Sequence, residues 1–178
     1  MKKTHRFGDN LARVLNQYVY QNGFSSAQTN GTTRIKFIHI TNNVPPIAKR
    51  ANFGEAKAIQ DLVNSGRYDV DDLIILTPYK NQITEIGRLL PELRKEHKIL
   101  TVHGSQGREW KTVILSVSDT HDMWFTNSKS KESKGLNLIN TAVSRAKEEL
   151  IIVCNHNYWI NANGQLIQGL LQVASKYV

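Results

Sequence analysis

Three short blocks of this sequence bring together the residue types that handle phosphates and hydroxyls. The first is Thr101-Val102-His103-Gly104-Ser105-Gln106-Gly107-Arg108-Glu109-Trp110. Glycines at 104 and 107 let backbone N–H groups come close to a ligand, and a guanidinium and a carboxylate flank the turn. That combination suits an oxygen-rich ligand, although the Gly-x-x-Gly spacing is equally that of an ordinary turn. The second block is Leu138-Ile139-Asn140-Thr141-Ala142-Val143-Ser144-Arg145-Ala146-Lys147. Small residues at 142, 144 and 146 allow close packing of a helix, and set Arg145 on a crowded surface. There it is either a phosphate ligand or an ordinary ion-pair partner. The third block, Leu76-Thr77-Pro78-Tyr79-Lys80-Asn81-Gln82, ends a strand, and Pro78 suits the first turn of a following helix. Helix N-termini attract phosphate; a plain strand-to-helix turn would look the same.

Metal chemistry is poorly supported. The six histidines form no ligand spacing on a helix. The single cysteine, Cys154, excludes an internal disulfide and a multi-thiolate zinc site, and its apolar surroundings predict a buried core thiol. Glu109-Trp110-Lys111 has the E-x-K form of some metal-dependent nucleases, but a glycine turn stands where a strand is needed. No G-x-x-x-x-G-K-[ST] phosphate loop occurs, and Asp71-Asp72 precede an apolar run rather than follow one.

The elements that must position these blocks are short apolar runs: 35–40, 73–77, 98–102, 112–117 and 150–154. Most are continuous rather than alternating, as in strands covered on both faces. Between them helical periodicity predicts helices over Asp9 to Tyr20, Phe53 to Asn64, Asn81 to Leu90 and Leu138 to Lys147, with a helical tail from Tyr158 to Tyr177 broken near Asn163-Gly164. The alternation predicts a single α/β domain over 1–178 with a mainly parallel sheet. Ligands then sit at the carboxyl ends of the strands. The polar stretch from Asp122 to Gly135 breaks the rhythm and predicts a mobile surface loop.

Size and charge agree with a folded domain that meets a polyanion. A chain of 178 residues, 40% hydrophobic, can fill one core, and its net charge is +8. Cations near phosphates release condensed counterions, so nucleic acid is the favoured partner. No run reaches the ~18 apolar residues of a membrane span, and the polar N-terminus is unlike a signal peptide. A cytoplasmic location is expected.

Order and spacing of the blocks resemble the C-terminal half of superfamily 1 helicases, particularly the Upf1/Dna2-like branch. Thr101 to Glu109 is similar to motif V, T-V-H-x-x-Q-G-x-E, and Ala142 to Lys147 to motif VI, A-[LV]-[ST]-R-A-[KR]. Thr77-Pro78-Tyr79 with Gln82 matches T-P-Y-x-x-Q, and Asn52 with Glu55-Ala56 matches the preceding N-x-x-E-A. Thr4-His5-Arg6-Phe7, with Val19-Tyr20 downstream, resembles the motif IV region. The likeness covers residues 4 to 154, and the tail from about 156 to 178 carries no motif.

The resemblance implies a RecA-like three-layer domain of the P-loop NTPase superfamily without its own P-loop. It would be the second motor domain of an ATP-dependent helicase, working with an N-terminal RecA-like domain upstream of Met1. That partner would bind most of the ATP and Mg2+. Arg145 would be the arginine finger and Arg6 a second cation on the phosphates. Gly107, Glu109 and Gln106 would face the nucleotide. Thr77, Tyr79, Thr101, His103 and Ser105 would touch the backbone of a single strand, DNA ahead of RNA. The chain alone would neither hydrolyse ATP nor unwind a duplex. A freestanding nucleic-acid-binding module with the same fold is the chief alternative, and a metal-dependent nuclease the weaker one.

Overall fold

In the computed structural model, which describes residues 3–27, 31–41 and 50–178, strands and helices alternate as expected. The strands are β1 (Lys3–Thr4), β2 (Ser25–Ser26), β3 (Arg34–His39), β4 (Leu73–Thr77), β5 (Ile99–Thr101), β6 (Trp110–Ser116), β7 (Ala146–Cys154) and β8 (Ser175–Lys176). The helices are α1 (Asp9–Leu15), α2 (Phe53–Asn64), α3 (Lys80–Leu89), α4 (Pro91–Lys95), α5 (Gly135–Val143), α6 (His156–Trp159) and α7 (Leu166–Val173). Six strands form one sheet in the order β5-β4-β6-β7-β3-β8, and each pairing in it is parallel. Strands β1 and β2 pair separately, also in parallel.

The continuous apolar runs make central strands because both faces of the sheet are covered. Side chains alternate between faces along a strand. Val113, Leu115, Leu150, Ile152 and Cys154 enter a core under α1, α5 and α7. Their neighbours Ile114, Ile151 and Val153 enter a second core with Ile59 and Leu62 of α2 and Ile86 of α3. Trp159, Leu11 and Leu15 are fully enclosed in the first layer. The result is helix–sheet–helix, with Cys154 buried as expected and its thiol pushed well up by burial.

Several boundaries differ from the sequence reading. The first helix keeps its length, but Asn16–Tyr20 winds as a wider π-type turn ended by Gln21 at φ 49°. The helix expected to continue through Lys147 ends at Val143, and Ala146 and Lys147 already belong to β7. The Arg145 N–H closes a last turn on the Ala142 carbonyl, and the Arg145 carbonyl accepts from the N–H of the distant Trp110. Sheet pairing of Trp110 with Ala146 then takes over from the helix. The tail breaks near Asn163-Gly164 as expected, between two short helices, but it ends in an edge strand, and Pro91 starts an extra helix (α4) that periodicity missed.

The segment 122–135 is not the free loop expected. Thr126 is fully buried and donates its hydroxyl to Asp119. The Ser128 N–H bonds Gln165, and the Ser128 hydroxyl accepts from the Leu166 N–H. At its end a Cβ on Gly135 would lie 2.3 Å from the Asn127 carbonyl oxygen, so only glycine fits that crossing. Polar composition misled because Thr126, Asn127 and Ser128 bond other side chains and the backbone, while the charged residues of the segment do face water.

No helix among the described residues is long and apolar enough to cross a membrane.

Candidate functional site

The motif residues fall on opposite edges of the sheet. Block Thr101 to Trp110 starts at the carboxyl end of β5, tightens into a turn of 3-10 helix over Val102–Ser105, and reaches the amino end of β6. Thr101 caps that turn, accepting from the Gly104 N–H at 3.3 Å. Gly107 then takes φ +77°, with open space where a Cβ would be. The turn is therefore glycine for its left-handed backbone, and its N–H groups stay approachable.

At the amino edge the charges gather. The Arg6 Nε lies 2.8 Å from one Glu109 oxygen, and the Lys147 Nζ is 3.6 Å from the other. The Arg6 side chain is 57% exposed and Glu109 23%, so this is a solvent-reachable pair. Such pairs stabilise by about 0–1 kcal/mol and exchange partners cheaply. Arg6 is brought there by the segment after β1. The Gly8 N–H bonds the Thr33 hydroxyl at 2.8 Å, and that hydroxyl donates to the Lys147 carbonyl at 3.2 Å. A Cβ on Gly8 would sit 2.4 Å from the Thr33 nitrogen, so this close approach also requires glycine.

Arg145 occupies the turn between α5 and β7, beside Trp110 through its backbone. Its side chain is half-buried, and its Nε is enclosed with no hydrogen-bond partner among the described residues. A buried guanidinium donor left unmade costs free energy. The sequence reading placed nucleotide ligands at carboxyl ends. Glu109 and Arg145 instead lie at the amino ends of β6 and β7, because each directly precedes its strand, and Arg6 joins them from the segment after β1 through its ion pair with Glu109.

The carboxyl edge is a different environment. Tyr79 is 6% exposed, Thr77 and Ser105 are fully buried, and all three are spent internally. The Thr77 hydroxyl accepts from the Tyr79 N–H, and the Ser105 hydroxyl donates to the Val102 carbonyl. The Tyr79 hydroxyl donates to Asp119 at 2.5 Å and accepts from the Phe125 N–H. The side chains of Thr77, Tyr79 and Ser105, expected at a strand, are thus turned largely inward in this structure. Asp119 also holds Arg50 at 2.8 Å, and Arg50 reaches Asp122 at 2.9 Å. Burial raises the Asp119 carboxyl, opposed by the hydrogen bonds from Tyr79 and Thr126. Burial and the neighbouring Asp119 push the Tyr79 phenol far up.

Behind this cluster Asn52 caps α2 by accepting from the Glu55 N–H at 3.0 Å. The Glu55 carboxyl is fully buried and accepts from the Ser116 hydroxyl at 2.6 Å and the Ser118 N–H at 2.9 Å. Gln82 completes the network through Asn52 and Ser116. Enclosure pushes the Glu55 carboxyl up to about 8, despite those donors. Sequence reasoning named Asn52, Glu55 and Gln82 by pattern but found no physical role for them. It missed Asp119 and Arg50, which carry no local signal, and named Lys147 only as the last position of the Ala142 to Lys147 block without giving it a role.

Of the nucleic-acid candidates, His103 is exposed and Thr101 half-buried. His103 and Gln106 line one cavity of about 250 Å³ with Phe125 and Asn137. That places Gln106 with the strand candidates and apart from Glu109 and Lys147, which line a different depression.

A parallel sheet covered by helices on both faces, with a glycine turn and opposed charges at the amino edge, is a RecA-like arrangement of the helicase type. Comparison with known proteins gives the family. The chain matches the AAA domain family over residues 1–157 and belongs to it. It is a superfamily 1 helicase-type domain, consistent with the Upf1/Dna2-like branch. Among curated relatives, an uncharacterized ATP-dependent helicase of Methanocaldococcus jannaschii is 32% identical over 107 residues, covering 60% of this chain. The DNA-binding protein SMUBP-2 of Rattus norvegicus is 31% identical over 114 residues, again covering 60% of this chain. These matches span only 15% and 11% of the relatives' own lengths. A solved C-terminal domain of a possible DNA helicase from Lactobacillus is 12% identical at TM-score 0.47, covering 85% of this chain and 87% of that one.

Proposed function

We propose that this domain is the second motor domain of an ATP-dependent nucleic-acid helicase, supplying the arginine finger to a nucleotide held mainly by a P-loop domain of the same protein. The observation that carries the reading is Arg145. Its buried Nε has no hydrogen-bond partner among the described residues, and it sits at one edge with the Gly107 turn and the Arg6–Glu109–Lys147 chain. A structural arginine would have its donors filled. This one is held by its backbone and left unsatisfied at its head.

The residues fit a nucleotide from the far side of a cleft. Arg145 and Arg6 would face the phosphates, Glu109 the ribose hydroxyls, and the Gly107 backbone the phosphate oxygens. Rigid guanidinium forks suit phosphate better than ammonium groups. Glu109 would leave Arg6 for the ribose, freeing a cation that was parked on it. In related phosphoryl transfer such a finger is worth about 10³–10⁵ in rate, by stabilising charge on the transferring group. Magnesium belongs to the partner domain in this reading, because Asp71-Asp72 precede β4 instead of ending a strand. When bound, the metal would neutralise phosphate charge.

Nucleic acid is the track in this reading, DNA ahead of RNA. The net charge of +8 and exposed His103 support it, as do relatives named as helicases and a DNA-binding protein. Contacts to the sugar–phosphate backbone bind without reading sequence, which a translocating motor requires. The binding-module reading leaves the orphaned Arg145 donor without a purpose. The nuclease reading fails on placement: Glu109 is engaged by Arg6 and Lys147, while Lys111 pairs with Asp72.

The test compares ATP turnover by the protein joined to its P-loop domain with turnover by the present chain alone, each with and without single-stranded DNA or RNA. Turnover only in the joined form, stimulated by a single strand and lost about a thousandfold in Arg145→Ala, supports the motor. Turnover indifferent to Arg145 would remove the arginine-finger role.

A further inference from the structure

The cavity between the Val102–Ser105 turn and the 122–135 segment is assigned to no part of the nucleotide site. It measures about 250 Å³, below the ~300–1,000 Å³ of pockets that enclose drug-sized ligands. One planar ring system fills such a space; a peptide segment does not. Phe125 and Leu138 give it apolar walls, while the exposed side chains of His103, Gln106 and Asn137 line its polar part and exposed Lys134 adds a cation. Among the described residues no carboxylate lines it.

Its walls are fixed in advance. Phe125 stacks on Tyr79 with ring centroids 5.6 Å apart, and its N–H is held by the Tyr79 hydroxyl at 3.1 Å. Thr126 anchors the next residue on buried Asp119. On the opposite side, the Val102–Ser105 turn packs against α5. The polar insertion is thus pinned across α5, with an aromatic ring presented beside two primary amides.

We infer that this cavity receives one unstacked base of the single strand, with Phe125 as stacking partner and Gln106 and Asn137 as amides for the base edge. The inference rests on the nucleic-acid part of the reading above. A base has two apolar faces and a rim of donors and acceptors. An aromatic wall meets the faces, and side-chain amides, each carrying donors and an acceptor, meet the rim without demanding one base. Lys134 and the carboxylate-free lining suit the flanking phosphates. This moves Gln106 from the nucleotide to the strand. The insertion thereby gains a purpose, which is to hold one base at each step, as a motor needs between strokes.

The test uses this chain with two oligothymidylates of equal length at low salt, one complete and one carrying abasic sites throughout. Their phosphates are identical, so a difference in affinity reports the base. The expected result is about tenfold tighter binding of the complete strand, the scale of one stacked base. The Gln106→Ala/Asn137→Ala double variant, changed only at exposed positions, should lose most of that difference while keeping its affinity for the abasic strand. Phe125→Leu keeps the apolar wall without the ring and should lose it too. Equal affinity for both strands, or a preference that survives both variants, overturns the base site and leaves backbone binding standing. Failure of both strands to bind removes the nucleic-acid reading and this inference together.

Discussion

The two edges of the sheet carry the same kinds of residue in opposite condition. At the carboxyl edge Glu55, Gln82, Tyr79 and Asp119 are buried, and their polar atoms are satisfied by Ser116, Asn52, Arg50 and Thr126. At the amino edge Arg6, Glu109 and Lys147 pair loosely within reach of solvent, and Arg145 keeps an unmade donor. The Ser118 hydroxyl beside Glu55 lacks a partner among the described residues, but the ionisable groups of this edge are paired, and a satisfied polar network has finished its work on folding. Charges left part-satisfied at one edge are available to a ligand. A residue's place in a recognisable motif therefore does not say which kind it is; its partners do.

The largest test of that contrast is Arg145→Ala. If the amino edge waits for a ligand, turnover in the joined protein falls about a thousandfold, while urea denaturation of this chain shows little loss of stability. A large loss of stability with turnover intact would reverse the assignment and make Arg145 architecture.

The carboxyl edge should respond in stability. With its folded value pushed up to about 8 from an ordinary 4.5, Glu55 binds its proton more tightly in the folded state than in the unfolded one. Below pH 4.5 both states hold the proton and burial carries no ionic penalty. As pH rises toward 8 the unfolded chain ionises first, so stability falls across this window, and above it the penalty is complete. Glu55→Gln cannot titrate. The stability of the natural chain relative to this variant should therefore drop by an amount on the order of a few kcal/mol between about pH 4.5 and 9. Parallel pH profiles of melting temperature for the two proteins would refute the buried carboxyl. Gln82→Ala comes next: it strands the Asn52 N–H, takes a donor from the Asn52 carbonyl and the Ser116 hydroxyl, and leaves a cavity, for about 2–3 kcal/mol in a urea titration.

Much of the fold was legible because burial on both faces writes itself as continuous apolar runs. α2 falls at Phe53–Asn64 as its apolar spacing and the following Gly66 predict, and the structure adds the Asn52 cap. The end of α5 was not legible. Ala142 to Lys147 has helix-favouring composition, and only pairing with distant Trp110 turns Ala146 into strand. Pattern likewise named Arg145, Glu109 and Gly107, whose types suit phosphate and hydroxyl. It could not say that Tyr79 and Thr77 point inward, because that depends on Asp119, 40 residues from Tyr79 in sequence. Nor could it reveal the Phe125 cavity, since the 122–135 segment reads as solvated until Gln165 and Asp119 are seen to hold it.

The smallest expected effect is also the one that sharpens the contrast most. Arg6→Ala removes a cation paired at 2.8 Å with Glu109, yet its stability cost should stay within about 1 kcal/mol, because the pair is exposed and Lys147 remains beside the carboxylate. Raising salt should erase even that, as screening acts on exposed charges first. In the joined protein the same variant should still slow ATP turnover, since the proposed role of Arg6 begins when Glu109 releases it. Thermal melts at low and high salt, set beside turnover, separate the two roles. A salt-resistant loss of several kcal/mol would place Arg6 with the completed networks of the other edge, and the amino edge would keep only Arg145 as a residue left waiting.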